Sequence, residues 1–118
     1  MWLSLEKWVA RYHAYQARAH YKRQRYALCL HYLHALSNWD KQFLNNPMYA
    51  GYMAICHYQL KHWDNITEEV ETALFLLRRY VDDDKDALIL WQDLKSHLAD
   101  LRYVTPNNLG LKKVGGIL

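Results

Sequence analysis

A chain of 118 residues with a formal net charge of +3 and 52% hydrophobic residues is one domain, long enough for a self-sufficient core. No run approaches the roughly 20 apolar residues that a membrane helix needs, and the opening MWLSLEKWV carries Glu6 and Lys7 inside its apolar stretch, which argues against a secretory leader. Only 2 prolines and 4 glycines interrupt the chain, while 10 Tyr, 5 Trp, 2 Phe and 7 His load it with flat side chains suited to packing helices and lining a recognition surface.

In chain order, the first helix is expected from about Leu3 to Lys22, which is rich in helix formers and free of breakers. Its Trp2, Leu5, Trp8 and Val9 suit either ordinary helix packing or a membrane surface. The stretch 22–25, KRQR, reads as a polar turn. A second helix runs from about Tyr26 to Leu36, with Tyr26, Cys29, Leu33 and Leu36 spaced for one apolar face. Ser37 and Asp40 have capping-box spacing, so a further turn through Leu44, or a continuation of the same helix, is expected. Asn45-Asn46-Pro47 is the clearest break, and Pro47 suits the first position of a third helix reaching about His62. Asp64 and Asn65 can cap a fourth helix, with Glu68 completing a reciprocal cap, and Ile66, Val70, Ala73 and Leu77 form its buried stripe. Asp82-Asp83-Asp84 marks a helix boundary, where acidic groups complement the positive end of the next helix dipole. The fifth helix, about Lys85 to Tyr103, is expected to bury Leu88, Trp91, Leu94, Leu98 and Leu101. Residues 105–118, TPNNLGLKKVGGIL, have no helical period and read as a flexible C-terminal tail.

Residues 12–26 (YHAYQARAHYKRQRY) and 49–63 (YAGYMAICHYQLKHW) are versions of one another at an offset of 37 residues with no gap. Tyr12 matches Tyr49, Tyr15 matches Tyr52, Ala17 matches Ala54, and His20-Tyr21 matches His57-Tyr58. A repeat of this length points to stacked helix pairs, each needing its neighbour to bury an apolar face.

Two helix pairs at this period resemble tetratricopeptide-type repeats. Ala17 and Ala54 stand where that family has a small residue for close helix approach, and Tyr26 and Trp63 where it opens the second helix with an aromatic. Cys29, Leu33 and Leu36, and then Ile66, Val70 and Ala73, match the later apolar positions. The family's turn glycine and terminal proline are absent. The resemblance implies an all-α, right-handed stack of antiparallel helix pairs with about five helices. Residues 1–104 would form the repeat domain, with unit one at about 3–44, unit two at about 47–81 and a covering helix at about 85–103. His97 and Tyr103 keep the His-to-aromatic spacing of the repeat, a trace of a decayed third unit. The first helices of such pairs line the concave face, which would assign the groove to Arg11, Arg18, Tyr21 and Lys22 in unit one and to Met48, Ile55, Tyr58 and Gln59 in unit two. The helical period independently puts 11, 18 and 22 on one face, and 48, 55 and 59 on another.

Charge is polarised along the chain. Residues 1–39 carry Lys7, Arg11, Arg18, Lys22, Arg23 and Arg25 against Glu6 alone, while residues 63–86 carry eight acidic side chains against Arg78, Arg79 and Lys85. The groove would therefore suit an acidic, amphipathic peptide or helix of a client protein, steered by Arg18 and Lys22 and anchored on Tyr21, Tyr58 and Ile55.

The chemistry-bearing patterns are sparse. His31 and His34 share a helix face and His20 and His57 recur in the repeat, but no HExxH or paired-cysteine motif accompanies them, so neither metal nor cofactor is expected. There is no Gly-rich phosphate loop and no nucleophile elbow. Cys29 and Cys56, without CxxC spacing, read as buried reduced thiols of a cytoplasmic protein. The expectation is a non-enzymatic interaction module, an adaptor or dedicated chaperone, with homodimerisation plausible for so short an array. Small helical-repeat chaperones of secretion systems have about this length. The alternative is nucleic-acid binding through RAHYKRQRY, which interleaves basic and aromatic residues but is opposed by the acidic second half.

Overall fold

Asn46 and Pro47 do what their local chemistry dictates. The Asn46 side-chain oxygen accepts from the backbone N–H groups of Met48 and Tyr49 at 2.9 and 3.2 Å, and Pro47 occupies the first turn. Asp84 does the same for the last helix, accepting from the N–H groups of Asp86 and Ala87 at 2.9 and 3.2 Å. In the computed structural model, which describes residues 2–40 and 43–104 (of residues 2–4, 44, 103 and 104 the backbone alone), these caps open two of five helices. The helices are α1 (Trp2–Lys22), α2 (Tyr26–Ser37), α3 (Pro47–Gln59), α4 (Ile66–Leu77) and α5 (Lys85–Val104), with a 3-10 turn at Phe43–Asn45. Among the described residues there is no strand, and no helix is long and apolar enough to cross a membrane. The expected tail at 105–118, and the Trp2 and Tyr103 side chains, lie outside the described residues.

The fold is the all-α stack of helix pairs expected from the sequence. The α1 helix packs on α2 and α3 on α4; α2 joins the pairs by packing on α3, and α5 packs on both α3 and α4. One continuous core runs through them. Ala17 and Ala54, the small residues of the repeat, are buried, as are Cys29, Leu33 and Leu36 of α2 and Ile66, Val70, Ala73 and Leu77 of α4. In α5 the buried stripe is Ala87, Leu90, Leu94, Leu98 and Leu101, whereas Leu88 and Trp91 are only half-buried. The stripe lies one helical position off the expected one at its N-terminal end, so that Leu90 meets Gly51 of α3.

Three boundaries differ from expectation. The Ser37 hydroxyl donates to the His34 carbonyl at 2.6 Å, so Ser37 closes α2 instead of capping, and the further turn expected through Leu44 is the 3-10 turn at Phe43–Asn45, with Phe43 N–H on the Asp40 carbonyl at 3.1 Å. Asn65 precedes α4 in the left-handed region (φ 57°), outside the extended conformation of a capping residue; its side chain makes no capping hydrogen bond, and the reciprocal cap with Glu68 does not form. The α3 helix ends at Gln59 rather than near His62 because Lys61 turns left-handed (φ 64°), letting His62 N–H reach the His57 carbonyl at 2.8 Å and Lys61 N–H the Tyr58 carbonyl at 3.2 Å. The equivalent residue of unit one, Gln24, does the same (φ 60°), with Arg25 N–H on the His20 carbonyl at 2.9 Å and Gln24 N–H on that of Tyr21 at 2.9 Å. Both are Schellman closures built without the usual glycine.

Candidate functional site

The outer surface of α1 follows from its helical period. Its buried side, Ala10, Ala14, Ala17 and Tyr21, packs into the stack. The other side carries two adjacent arcs. Leu5, Trp8, Tyr12 and Tyr15 form an apolar-aromatic arc, each more than half exposed at 55, 70, 52 and 66%. Beside it, Lys7, Arg11, Arg18 and Lys22 form a basic arc, all exposed.

Arg11 lines a cleft of about 420 Å³ between α1, the end of α2 and α3, together with Lys7, Trp39 and Tyr49. Tyr21 and Lys22 line a smaller one of about 210 Å³ with Tyr52, Ile89 and Leu90, between α1, α3 and α5. Arg18 stands between them, close enough to Tyr52 and Tyr49 for its charge to act on both phenols. The structure thus brings Arg11, Arg18, Tyr21 and Lys22 onto one side of α1 facing α3. Tyr21 meets Tyr26 edge-on at 6.2 Å and Tyr52 at 4.5 Å. Burial, followed by the nearby Asp93 charge, pushes the Tyr21 phenol well above its usual value, so it is a neutral donor at any physiological pH.

The four residues expected from α3 do not join them. Ile55 is 2% exposed and belongs to the core, so it anchors no ligand. Met48 is half-buried against that core and Gln59 is exposed. Tyr58 stacks face to face on His97 of α5, 4.0 Å between centroids and 14° between planes, with the Asp100 carboxylate near its hydroxyl. In the two clefts their places are taken by Tyr49 and Tyr52. The α5 helix packs on α3 and α4 and its His97 takes Tyr58, while Gln59 stays exposed.

The His97 ring has its pKa lowered, by burial first, with Asp93 and Asp100 partly offsetting that. A histidine held below its unfolded pKa takes up its proton more readily in the unfolded chain, so stability falls as pH drops through the unfolded value of about 6.5. We expect denaturant titrations to show a loss of stability between pH 7 and pH 5 that is smaller in His97→Phe. An unchanged pH profile in that variant contradicts the assignment.

His57 makes the closest polar contact between α3 and α4. Its Nδ1 lies 2.9 and 2.8 Å from the two Glu69 carboxylate oxygens, and since a carboxylate only accepts, Nδ1 carries the hydrogen. The pair borders a pocket of about 530 Å³ whose apolar wall is Phe43, Ala50, Met53 and Leu76. Sequence reasoning missed this pocket, although the aligned repeat holds its signal: Tyr32 of unit one corresponds to Glu69. Among the described residues, no three His, Cys, Asp or Glu side chains gather as a metal site would require. The chain matches no known family profile, no curated protein and no solved structure.

Proposed function

We propose that this chain is a non-enzymatic, tetratricopeptide-like interaction module, an adaptor or dedicated chaperone, that takes an acidic amphipathic segment of a client protein on the α1 face. One observation carries the reading. Tyr12 and Tyr15 stand at the same repeat positions as Tyr49 and Tyr52, yet Tyr52 is 5% exposed beneath the preceding helix pair while Tyr12 and Tyr15 are 52 and 66% exposed. The α1 face presents to solvent the residues that the next unit keeps covered by a helix pair. An exposed aromatic surface of this kind rimmed by charge is what interaction sites look like. Lys7, Arg11, Arg18 and Lys22 outnumber the Glu6, Asp40 and Asp86 carboxylates that also line its clefts, which favours a partner that brings carboxylates.

The test is capture of partners from the source lysate on the tagged chain, with and without nuclease and at rising salt. A protein retained after nuclease, and lost from the Arg11→Glu/Lys22→Glu chain, is the expected result. Arg11 and Lys22 are exposed, so the double variant should keep its helicity and lie within about 0.5 kcal/mol of the parent in stability. Its affinity for the captured protein should fall at least about tenfold. Arg18 is a poorer probe, because reversing it also disturbs Tyr49 and Tyr52. Recovery that vanishes with nuclease moves the reading to nucleic acid. Undiminished capture by the double variant removes the α1 face from it.

A further inference from the structure

In unit one the crevice between the paired helices is filled by rings. Tyr32 of α2 stacks on His20 of α1 at 5.4 Å and 12°, and His13 closes against it at 6.0 Å. Thirty-seven residues on, the same three positions are Glu69, His57 and Ala50. The structure keeps the equivalence, because His57 faces Glu69 as His20 faces Tyr32. Two ring systems have thus become a carboxylate and a methyl group, and the crevice of unit two stands open at about 530 Å³. Its remaining wall is apolar: Phe43, Met53 and Leu76. Its polar rim carries Asp64, Glu68 and Glu69, and among the described residues no lysine or arginine lines it.

We propose that this pocket between α3 and α4 is a binding site for an organic cation with a ring-sized apolar body, an ammonium or guanidinium whose hydrocarbon part takes the space that Tyr32 and His13 fill in unit one. Apolar volume supplies the affinity, and the carboxylates select the charge and orient it. Glu69 remains a competent acceptor while holding His57, since each carboxylate oxygen has a second lone pair. The site is separate from the α1 face and does not depend on what binds there. A free amine and a basic side chain of a partner share this chemistry, so the experiment distinguishes them.

Phenethylammonium, its neutral isostere 2-phenylethanol and an N-acetylated, C-amidated Gly-Gly-Arg-Gly peptide are titrated into the full chain carrying labelled alanine and methionine methyls. The expected result is a saturable shift of the Ala50 and Met53 methyls with phenethylammonium and binding of 2-phenylethanol about tenfold weaker, the worth of a charge-assisted hydrogen bond. Saturable binding of the arginine peptide without the amine supports the same site and identifies the source as a partner's side chain. The second variant is Ala50→His with Glu69→Tyr, which rebuilds the ring filling of unit one. It should melt no lower than the parent and lose the shift at Met53. Equal binding of the alcohol and the ammonium, unaltered binding in the filled variant, or no saturable shift from either cation up to its solubility limit overturns the proposal.

Discussion

Leu90→Ala should destabilise the fold by about 3 kcal/mol and Gly51→Ala by about 1–2 kcal/mol, yet the double variant should be less destabilised than the sum. Leu90 is 2% exposed and forms the contact of α5 with α3, so truncating it removes apolar contacts and leaves a cavity. Gly51 explains how α5 comes so close. A Cβ at residue 51 would lie 2.5 Å from Leu90 Cδ2, 2.9 Å from its Cγ and 3.2 Å from Leu77 Cδ1. Helix propensity favours alanine over glycine by at most about 1 kcal/mol. Overpacking wins, because both leucines are buried in the core and Leu90 Cγ as well as its Cδ2 would have to shift. With Leu90 truncated, the new methyl enters the cavity instead of colliding, and Gly51→Ala becomes neutral or favourable in that background. Urea unfolding of the four chains measures the cycle. Additivity within about 0.5 kcal/mol contradicts the contact.

The same contact shows what could and could not be read from the chain. Helix starts at Pro47 and Lys85 were legible because Asn46 and Asp84 cap through their own side chains, a local chemistry that carries its signal in one or two residues. The end of α3 was not, because Lys61 adopts a left-handed conformation that glycine would have advertised. Only its partner Gln24, in the aligned repeat, shows that the turn is built this way twice. Arg11, Arg18 and Lys22 share an exposed arc because a helix of that length has one period, and Tyr21 stands at the edge of it where α1 meets the core. Met48, Ile55, Tyr58 and Gln59 rested on the repeat and on the shared helical face of 48, 55 and 59, and neither shows that α5 lies on the second unit. The pocket of unit two is the reverse case. The substitution of Tyr32 by Glu69 stood in plain view, but its meaning depends on knowing that position 32 stacks on His20.

Cys29 and Cys56 should resist a thiol reagent in the native protein, reacting together and slower than in the unfolded chain by a factor of ~10³–10⁴, given a domain stability of roughly 5 kcal/mol. Both are free and fully buried. The Cys56 thiol is pushed well above its usual pKa, chiefly by its hydrogen bond with Cys29 and then by burial, so the thiolate that would react is suppressed as well. Their position makes the labelling rate informative about how the stack comes apart. Cys29 lies on α2 and Cys56 on α3, so the pair sits at the joint between the two units. If α1 and α2 peel away alone, both thiols are exposed while α3, α4 and α5 stay packed. If the continuous core opens only as a whole, labelling requires global unfolding. Leu90→Ala separates the two routes, because it weakens α5 against α3, within the part that stays packed when α1 and α2 peel away. Global opening predicts that this variant labels about a hundredfold faster, the equivalent of its expected 3 kcal/mol. Peeling predicts no change. One core that runs unbroken from Ala17 to Leu101 favours the first outcome, and an unaltered rate in Leu90→Ala would mean that the helix pairs are held more loosely to one another than within themselves.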